Sequence, residues 1–434
     1  MKLETALKSL NHQDSEVRLE SIKRISSGIK NDELLPVKRL NECNNHVHSQ
    51  YSFSPYSPSM IAWKAYKSGL STCGIIDHES VAGCREFQEA CRILGVVPTI
   101  GFEIRLNWNH TPLKDKMFND PDQKSLGYFP IHGVPVSKLA EIENFLQPIR
   151  QERFCRNQKM VKNIDSILRN YGLGLDFESD VIPVSKWTEG GSITERHLLY
   201  ATARKLLRKY KPGQEMISFL KNRLGIRLSG TSESYLSETE NPYYDFDVTN
   251  ILKGFFSEFM YVDASEKEAP NVEEVIPYLK KIGCIPTYTY LGDVKTESVT
   301  GDKKPQKFED DILDEMMRLL HSYGMGALSY APRRNDSQQI HMVRELCRKY
   351  NMMEVAGEDI NQPRQPFVNT ELGSDIKAYF DLTTWAIIGH ERMADESLEK
   401  GFFSESTLKR YPNLSERLKV YEKIGKETAL GVRR

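Results

Sequence analysis

The chain has 434 residues, 39% hydrophobic and 27% charged, and its 59 Lys and Arg against 60 Asp and Glu leave a net charge of −1. Such a chain is too apolar to stay disordered, and at about 150 residues per domain it holds about three domains, or one large α/β barrel with additions. The even charge argues against nucleic acid or an anionic membrane as partner, no apolar run approaches the roughly 20 residues that span a bilayer, and the N-terminal stretch lacks the apolar core of a secretion signal.

Residues 1–39 read as a polar helical cap: Leu3, Leu7 and Leu10, then Val17, Ile22, Ile25 and Ile29, recur at helical spacing, and Pro36 closes the unit. From residue 40 the pattern becomes β-α-β-α-β. Strands are expected around 40–49, 71–78 and 96–106, with helices over 57–70 and 81–95, the second closing on Gly95. Residues 107–130 look like loop. A mostly helical segment follows and becomes acidic and aromatic after 225. The alternation returns near 272, with helices over 272–283, 309–324 and 337–350 and strands over 284–293, 325–335 and 352–361, before further helices in the tail. These readings divide the chain into a cap (1–39), the first part of an α/β domain (40–137), a mostly helical insertion (138–268), and the second part of that domain with C-terminal helices (269–434). Arg150, Arg153, Arg156, Lys159 and Lys162 share a helical stretch in the insertion, which reads as a solvated basic face.

Seven cysteines (43, 73, 84, 91, 155, 284 and 347) form no Cys-x-x-Cys pair, so they read as free thiols in a reducing cytoplasm. Any metal site must then use histidine and carboxylate. His46 and His48 lie two apart and, on a strand, point to one face. His78 follows 32 residues after His46, Glu103 follows 25 after His78, and His132 follows 29 after Glu103. A strand-plus-helix unit takes about 30 residues, so one potential ligand falls near the end of each strand, and the strand ends of a barrel meet at one face. In the second half Asp359 and Asn361 occupy such a position, as do Tyr290 and the Arg333-Arg334-Asn335 run. Four imidazoles and two carboxylates suit one or two divalent ions, Zn, Mn or Fe in preference to Mg or Ca. His110, His197, His321 and His341 fall in helices or polar loop and receive no role.

These residues resemble the PHP (polymerase and histidinol phosphatase) family. Its opening His-x-His matches His46-Val47-His48, its Asp-His matches Asp77-His78, its strand-end Glu matches Glu103, and its next His matches His132. Its closing Gly-Ser-Asp-x-His corresponds to Gly357-Glu358-Asp359-Ile360-Asn361. The likeness covers about 40–135 and 270–369. It departs at three places. Ser52 and Ser54 stand where an acid is usual, Tyr290 replaces a histidine, and Asn361 replaces the final one. The resemblance implies a distorted (β/α)7 TIM-like barrel, one to three divalent metal ions, and hydrolysis of a phosphate ester of a small metabolite by metal-activated water. His46, His48, Glu103 and Asp359 would hold one ion, with Asn361 beside them. His78 and His132 would serve a second, bridged by Glu103. Asp77 would orient an imidazole, and Arg334 and Arg364 would clamp the phosphate. Two alternatives stand beside this reading: a degenerate barrel binding metal or ligand without turnover, and a metal-dependent hydrolase of a non-phosphate bond.

Overall fold

The structure is a computed structural model and describes residues 1–40, 42–120, 122–294, 309–369 and 372–432. Helix α1 (Ser15–Lys30) belongs to the N-terminal cap and buries Ile22 and Ile25. Helix α2 (Pro58–Lys67) starts where Ser57 accepts a hydrogen bond from the Met60 amide and Pro58 presets the first helical turn. Strand β1 (Thr72–His78) leads to α3 (Cys84–Leu94), which stops because Gly95 takes a left-handed conformation at φ 68°. Strand β2 (Val97–Asn107) and strand β3 (Leu126–His132) complete the first half of the sheet.

Three long helices of the insertion follow: α4 (Leu139–Leu168), α5 (Glu195–Leu207) and α6 (Tyr244–Met260). Then α7 (Val272–Lys281), β4 (Ile285–Tyr290), α8 (Leu313–Ser322), β5 (Ala327–Tyr330), α9 (Ser337–Lys349) and β6 (Met353–Ala356) restore the alternation. Two helices, α10 (Ser374–Glu396) and α11 (Leu414–Val432), close the chain. Among the described residues, no helix is long and apolar enough to cross a membrane.

The six strands form one sheet in the order β1-β2-β3-β4-β5-β6. β1 and β2 are parallel, as are β4, β5 and β6, but β3 runs antiparallel to both neighbours. The expected distorted (β/α)7 barrel is found in part, as a mixed α/β sheet whose parallel run is broken at β3. A parallel pair needs a crossover, usually a helix, and the described residues between β2 and β3 supply none, so the chain turns back on itself. The expected first strand, around His46, is present only as isolated bridges. Val47 pairs in parallel with Ile75 of β1 and with Ile360 just beyond β6. The sheet therefore curls into a half-barrel whose two edges reach one short segment.

The main core gathers the cap, α2, α3, the sheet and α7–α9. A separate cluster, including Met160, Ile164, Leu168, Leu198, Leu252 and Phe256, lies wholly within the insertion. Helix α4 joins the two: Leu139, Ile142, Leu146 and Ile149 pack in the main core, and its later apolar residues in the second. Between those stretches sit Arg150, Arg153 and Arg156, only 5, 1 and 4% exposed. The expected solvated face is thus wrong for these three. Arg150 pairs with Glu143, Arg153 with Glu79 and Glu195, and Arg156 with Glu195 and Glu268. Buried guanidinium groups must be paired, and carboxylates from distant parts of the chain meet them there.

Candidate metal centre

Backbone registration assembles the centre. The His48 amide donates to the Ile360 carbonyl (2.9 Å) and the Ile360 amide to the His46 carbonyl (3.0 Å), which brings Asp359 beside the two histidines. On the other side the Ile76 amide donates to the Val47 carbonyl, and β1 pairs with β2 so that His78 lies level with Glu103. Five side chains from four places in the chain then converge. His46 Nε2 and His48 Nε2 are 3.1 Å apart. Glu103 lies 3.6 Å from His46 Nε2, 3.9 Å from His48 Nε2 and 3.0 Å from His78 Nδ1. Asp359 Oδ1 lies 3.2 Å from His48 Nε2. Two sets have ligand atoms within 4.8 Å of one another: His46-His48-Asp359 and His48-His78-Glu103. They share His48. All these residues are largely buried except Asp359, whose side chain is 46% exposed and marks the open side.

Asp77 acts one layer behind. Its carboxylate accepts from the Ser49 amide, from Ser49 Oγ and from Ser52 Oγ (2.6 Å). Because the Ser52 hydroxyl proton is committed to Asp77, Ser52 Oγ accepts from His48 Nδ1 at 3.1 Å. That fixes the His48 proton on Nδ1 and turns the Nε2 lone pair toward Asp359 and Glu103, the arrangement in which an imidazole binds a metal.

The electrostatics describe a centre short of positive charge. Burial holds His46 at about 3, opposed by the Asp359 charge, and holds His132 at about 3 with help from His46. Burial, then His48 and Arg153, keep His78 well below its usual value. Burial pushes the Glu103 carboxyl up to about 8, with His48 opposing and Asp359 and Glu79 adding. For His48 burial acts downward, but the hydrogen bond and charge of Asp359, with Glu103 and Asp77, raise it overall. Burial likewise raises Asp359, and the imidazoles outweigh it and pull the carboxylate far down.

The donor set fits a divalent cation. Buried His46 Nδ1 and His132 Nε2 have no hydrogen-bond partner, and His78 Nδ1 stands close to Glu103 without hydrogen-bond alignment. Buried polar groups are normally paired, so the unpaired His78 Nδ1 beside the Glu103 carboxylate marks an atom available as a ligand.

The remaining predicted residues are placed differently. His132 lies outside both ligand sets because β3 runs backward: its end pairs with Ile285 at the start of β4, below the level of Glu103, although the ring still feels His46. Asn361 turns to its neighbour: its Nδ2 donates to Asp359 Oδ1 (2.8 Å). Asp77 touches neither imidazole directly. Arg334 Nε donates to the Leu291 carbonyl. Arg364 is bound by Asp247 and Glu238 and stacks on Tyr235, so its guanidinium is committed to the insertion. Tyr290 donates to Asp310 at 2.5 Å, away from the histidines.

Sequence reasoning missed several residues. Ser49 and Ser52 stood close after His48, but nothing in their spacing told hydroxyl relay from loop. Glu79, directly after His78, was passed over. His390 is a structural histidine: its Nε2 faces the carbonyls of Gly133 and Gly283, and its Nδ1 accepts from the Phe402 amide.

Known proteins bear on this geometry. The model of the PHP domain matches residues 44–218. A 5'-3' exoribonuclease of Haemophilus influenzae (strain ATCC 51907 / DSM 11121 / KW20 / Rd) is 33% identical over 63 residues, 14% of this chain. The chain spans only 23% of the length of that curated relative. Among solved structures, a proposed metal-dependent phosphoesterase of Bifidobacterium adolescentis ATCC 15703 superposes with a TM-score of 0.51 at 17% identity, over 80% of this chain and 97% of the other. An amidohydrolase of Chromobacterium violaceum, solved with sulfate and without metal, superposes with a TM-score of 0.50 at 13% identity, over 78% and 96%. At such identities these two likenesses bear on the fold.

Proposed function

This chain is a member of the PHP family, and from that premise we propose that it is a metal-dependent hydrolase of phosphoric esters acting on a small phosphorylated molecule. The observation that carries the reading is the convergence of His46, His48, His78, Glu103 and Asp359, with unpaired imidazole nitrogens among them. Support for the phosphate part comes from the names of two similar proteins, a 5'-3' exoribonuclease and a proposed metal-dependent phosphoesterase.

In this reading His46, His48 and Asp359 would hold a divalent ion, and His48, His78 and Glu103 would hold the same ion or a second one. When bound, the metal supplies hydroxide near neutral pH and neutralises negative charge on the phosphoryl oxygens. The chain's own residues do the rest. Asp77 holds Ser52, and Ser52 holds His48 in the tautomer that leaves Nε2 free. Glu103, raised in the absence of a cation, is positioned to take up a proton or to ionise when positive charge arrives. Asp359 and Asn361 form the exposed rim through which substrate enters. Helix α4 of the insertion reaches Glu79, next to His78, through Arg150 and Arg153. The ring-closing role of the 46–48 segment, joining both sheet edges, makes the architecture that of a distorted barrel in this reading.

The test is a screen of phosphomonoesters, phosphodiesters including short RNA oligomers, and amides, with added Mn²⁺ or Zn²⁺, run in parallel on His46→Ala. Turnover of a phosphate ester that disappears in His46→Ala supports the proposal. Turnover of amides alone favours a hydrolase of non-phosphate bonds, and activity unchanged in His46→Ala assigns the signal to a contaminant.

A further inference from the structure

Helix α4 of the insertion reaches the metal centre at one residue, Glu79, which follows His78 directly. Glu79 has φ 45°, in the left-handed region. A side chain with a Cβ enters that region at a cost, which persists only where surrounding contacts hold the residue there. The contacts are present. The Glu79 amide donates to the Glu103 carbonyl at 2.7 Å. Arg150 Nη1 donates to the Glu79 carbonyl at 2.9 Å. Arg153 Nη1 donates to Glu79 Oε2 at 2.5 Å, and Ser192 Oγ reaches the same oxygen at 3.0 Å. Arg153 is anchored in turn by Glu195 at 2.5 Å. Three of these contacts come from the insertion and one from the strand that bears Glu103. Both Glu79 and Arg153 are only 1% exposed. Glu79 belongs to neither ligand set.

We propose that Arg150 and Arg153 are positioning residues of the metal centre: by fastening Glu79 in its left-handed conformation they fix the direction in which His78 leaves β1, so the insertion completes the ligand set that the half-barrel begins. The inference rests on the metal-dependent reading of the site. It makes the insertion a working part of the centre.

The role separates from that of an ordinary buried ion pair because glycine, alone among residues, adopts a positive φ without cost. If Arg153 serves to hold the backbone, removing both the arginine and the need for it restores the site. The experiment titrates Mn²⁺ calorimetrically into chelator-treated full-length protein, and records thermal unfolding of the same metal-free samples. Arg153→Met is expected to weaken Mn²⁺ binding about tenfold or more, the usual effect of losing a partner that orients a ligand. The double variant Glu79→Gly with Arg153→Met is expected to return to within about threefold of wild type, since glycine holds the turn unaided. Glu79→Ala with Arg153→Met, equally free of unpaired charge, is expected to stay about tenfold weak. Should Arg153→Met alone fail to fold, the two double variants still decide. Wild-type affinity in Arg153→Met, or equal recovery by alanine and glycine, overturns the proposal while leaving the metal centre intact. A wild-type protein that takes up no Mn²⁺ overturns the metal-dependent reading and this inference with it.

Discussion

The two halves of the sheet end in different chemistry. In the half made by β1 to β3, His78 and Glu103 lie near the mouth and His132 lies lower on β3, and the buried His78 Nδ1 and His132 Nε2 lack hydrogen-bond partners or alignment. In the half made by β4 to β6 the corresponding groups are phenols, and each has a carboxylate of its own. Tyr288 bonds to Glu309, Tyr290 to Asp310 and Tyr330 to Glu354. The second half is closed upon itself, and Asp359, just after β6, is the carboxylate it sends to the centre. The difference teaches that the departures from the family pattern, Tyr290 and Asn361, did not merely delete ligands. A phenol paired with an acid turns a potential metal ligand into a fastening between a strand and the helix start that follows it.

That contrast can be broken or sharpened by substitution. The largest effect is expected from Glu103→Gln, which removes the carboxylate that faces all three imidazoles. Metal-assisted catalysis is worth several kcal/mol, so metal-dependent turnover should fall about 10³-fold at about 1.4 kcal/mol per decade. Steady-state kinetics at saturating Mn²⁺ measures it, and retention of more than a tenth of the activity would take Glu103 out of the centre. Next comes Ser52→Ala, which cuts the link from Asp77 to His48. Loss of such a supporting partner typically costs about 10- to 100-fold in metal affinity, read by Mn²⁺ titration; an unchanged titration would mean that His48 keeps its tautomer by other means.

A smaller gain is expected from Asn361→His. The Asn361 side chain already touches Asp359, so an imidazole there restores a ligand to the weak half, and metal affinity should rise about tenfold, equivalent to about 1.4 kcal/mol. The smallest effect on function belongs to Tyr290→Phe. It removes one buried hydrogen bond to a carboxylate, worth about 1.5–3 kcal/mol of stability in denaturant unfolding, and turnover should stay within about twofold. A collapse of turnover in this variant would show that the phenol serves the centre after all.

Much of this was legible in the sequence, for reasons that differ by element. The helices α2, α3 and α9 announce themselves through capping residues and 3.6-residue periodicity, and β1, β2 and β4 through short apolar runs bounded by glycine or loop. The histidines at 46, 48 and 78 with Glu103 could be gathered because their spacing matches a strand-plus-helix unit. β3 was hidden: residues 107–130 read as loop, so neither the strand over Leu126–His132 nor its antiparallel direction could be read, and with it went the height of His132. The burial of Arg150, Arg153 and Arg156 was hidden too. Their spacing marks one helix face, but the carboxylates that neutralise Arg153 and Arg156, namely Glu79, Glu195 and Glu268, lie in other segments and meet them only in the folded chain, while Arg150 pairs with Glu143 of its own helix. The pairing of Arg364 was hidden for the same reason, since its partners Asp247 and Glu238 lie in the insertion.

The central claim, that side chains from both halves surround one cation, is tested most directly by anomalous diffraction from crystals grown with Mn²⁺. The account predicts a peak at about 2.0–2.2 Å from His48 Nε2 and from an oxygen of Asp359 or Glu103, lost in crystals of His48→Ala. Anomalous signal absent from that position, or unchanged by the substitution, would contradict it.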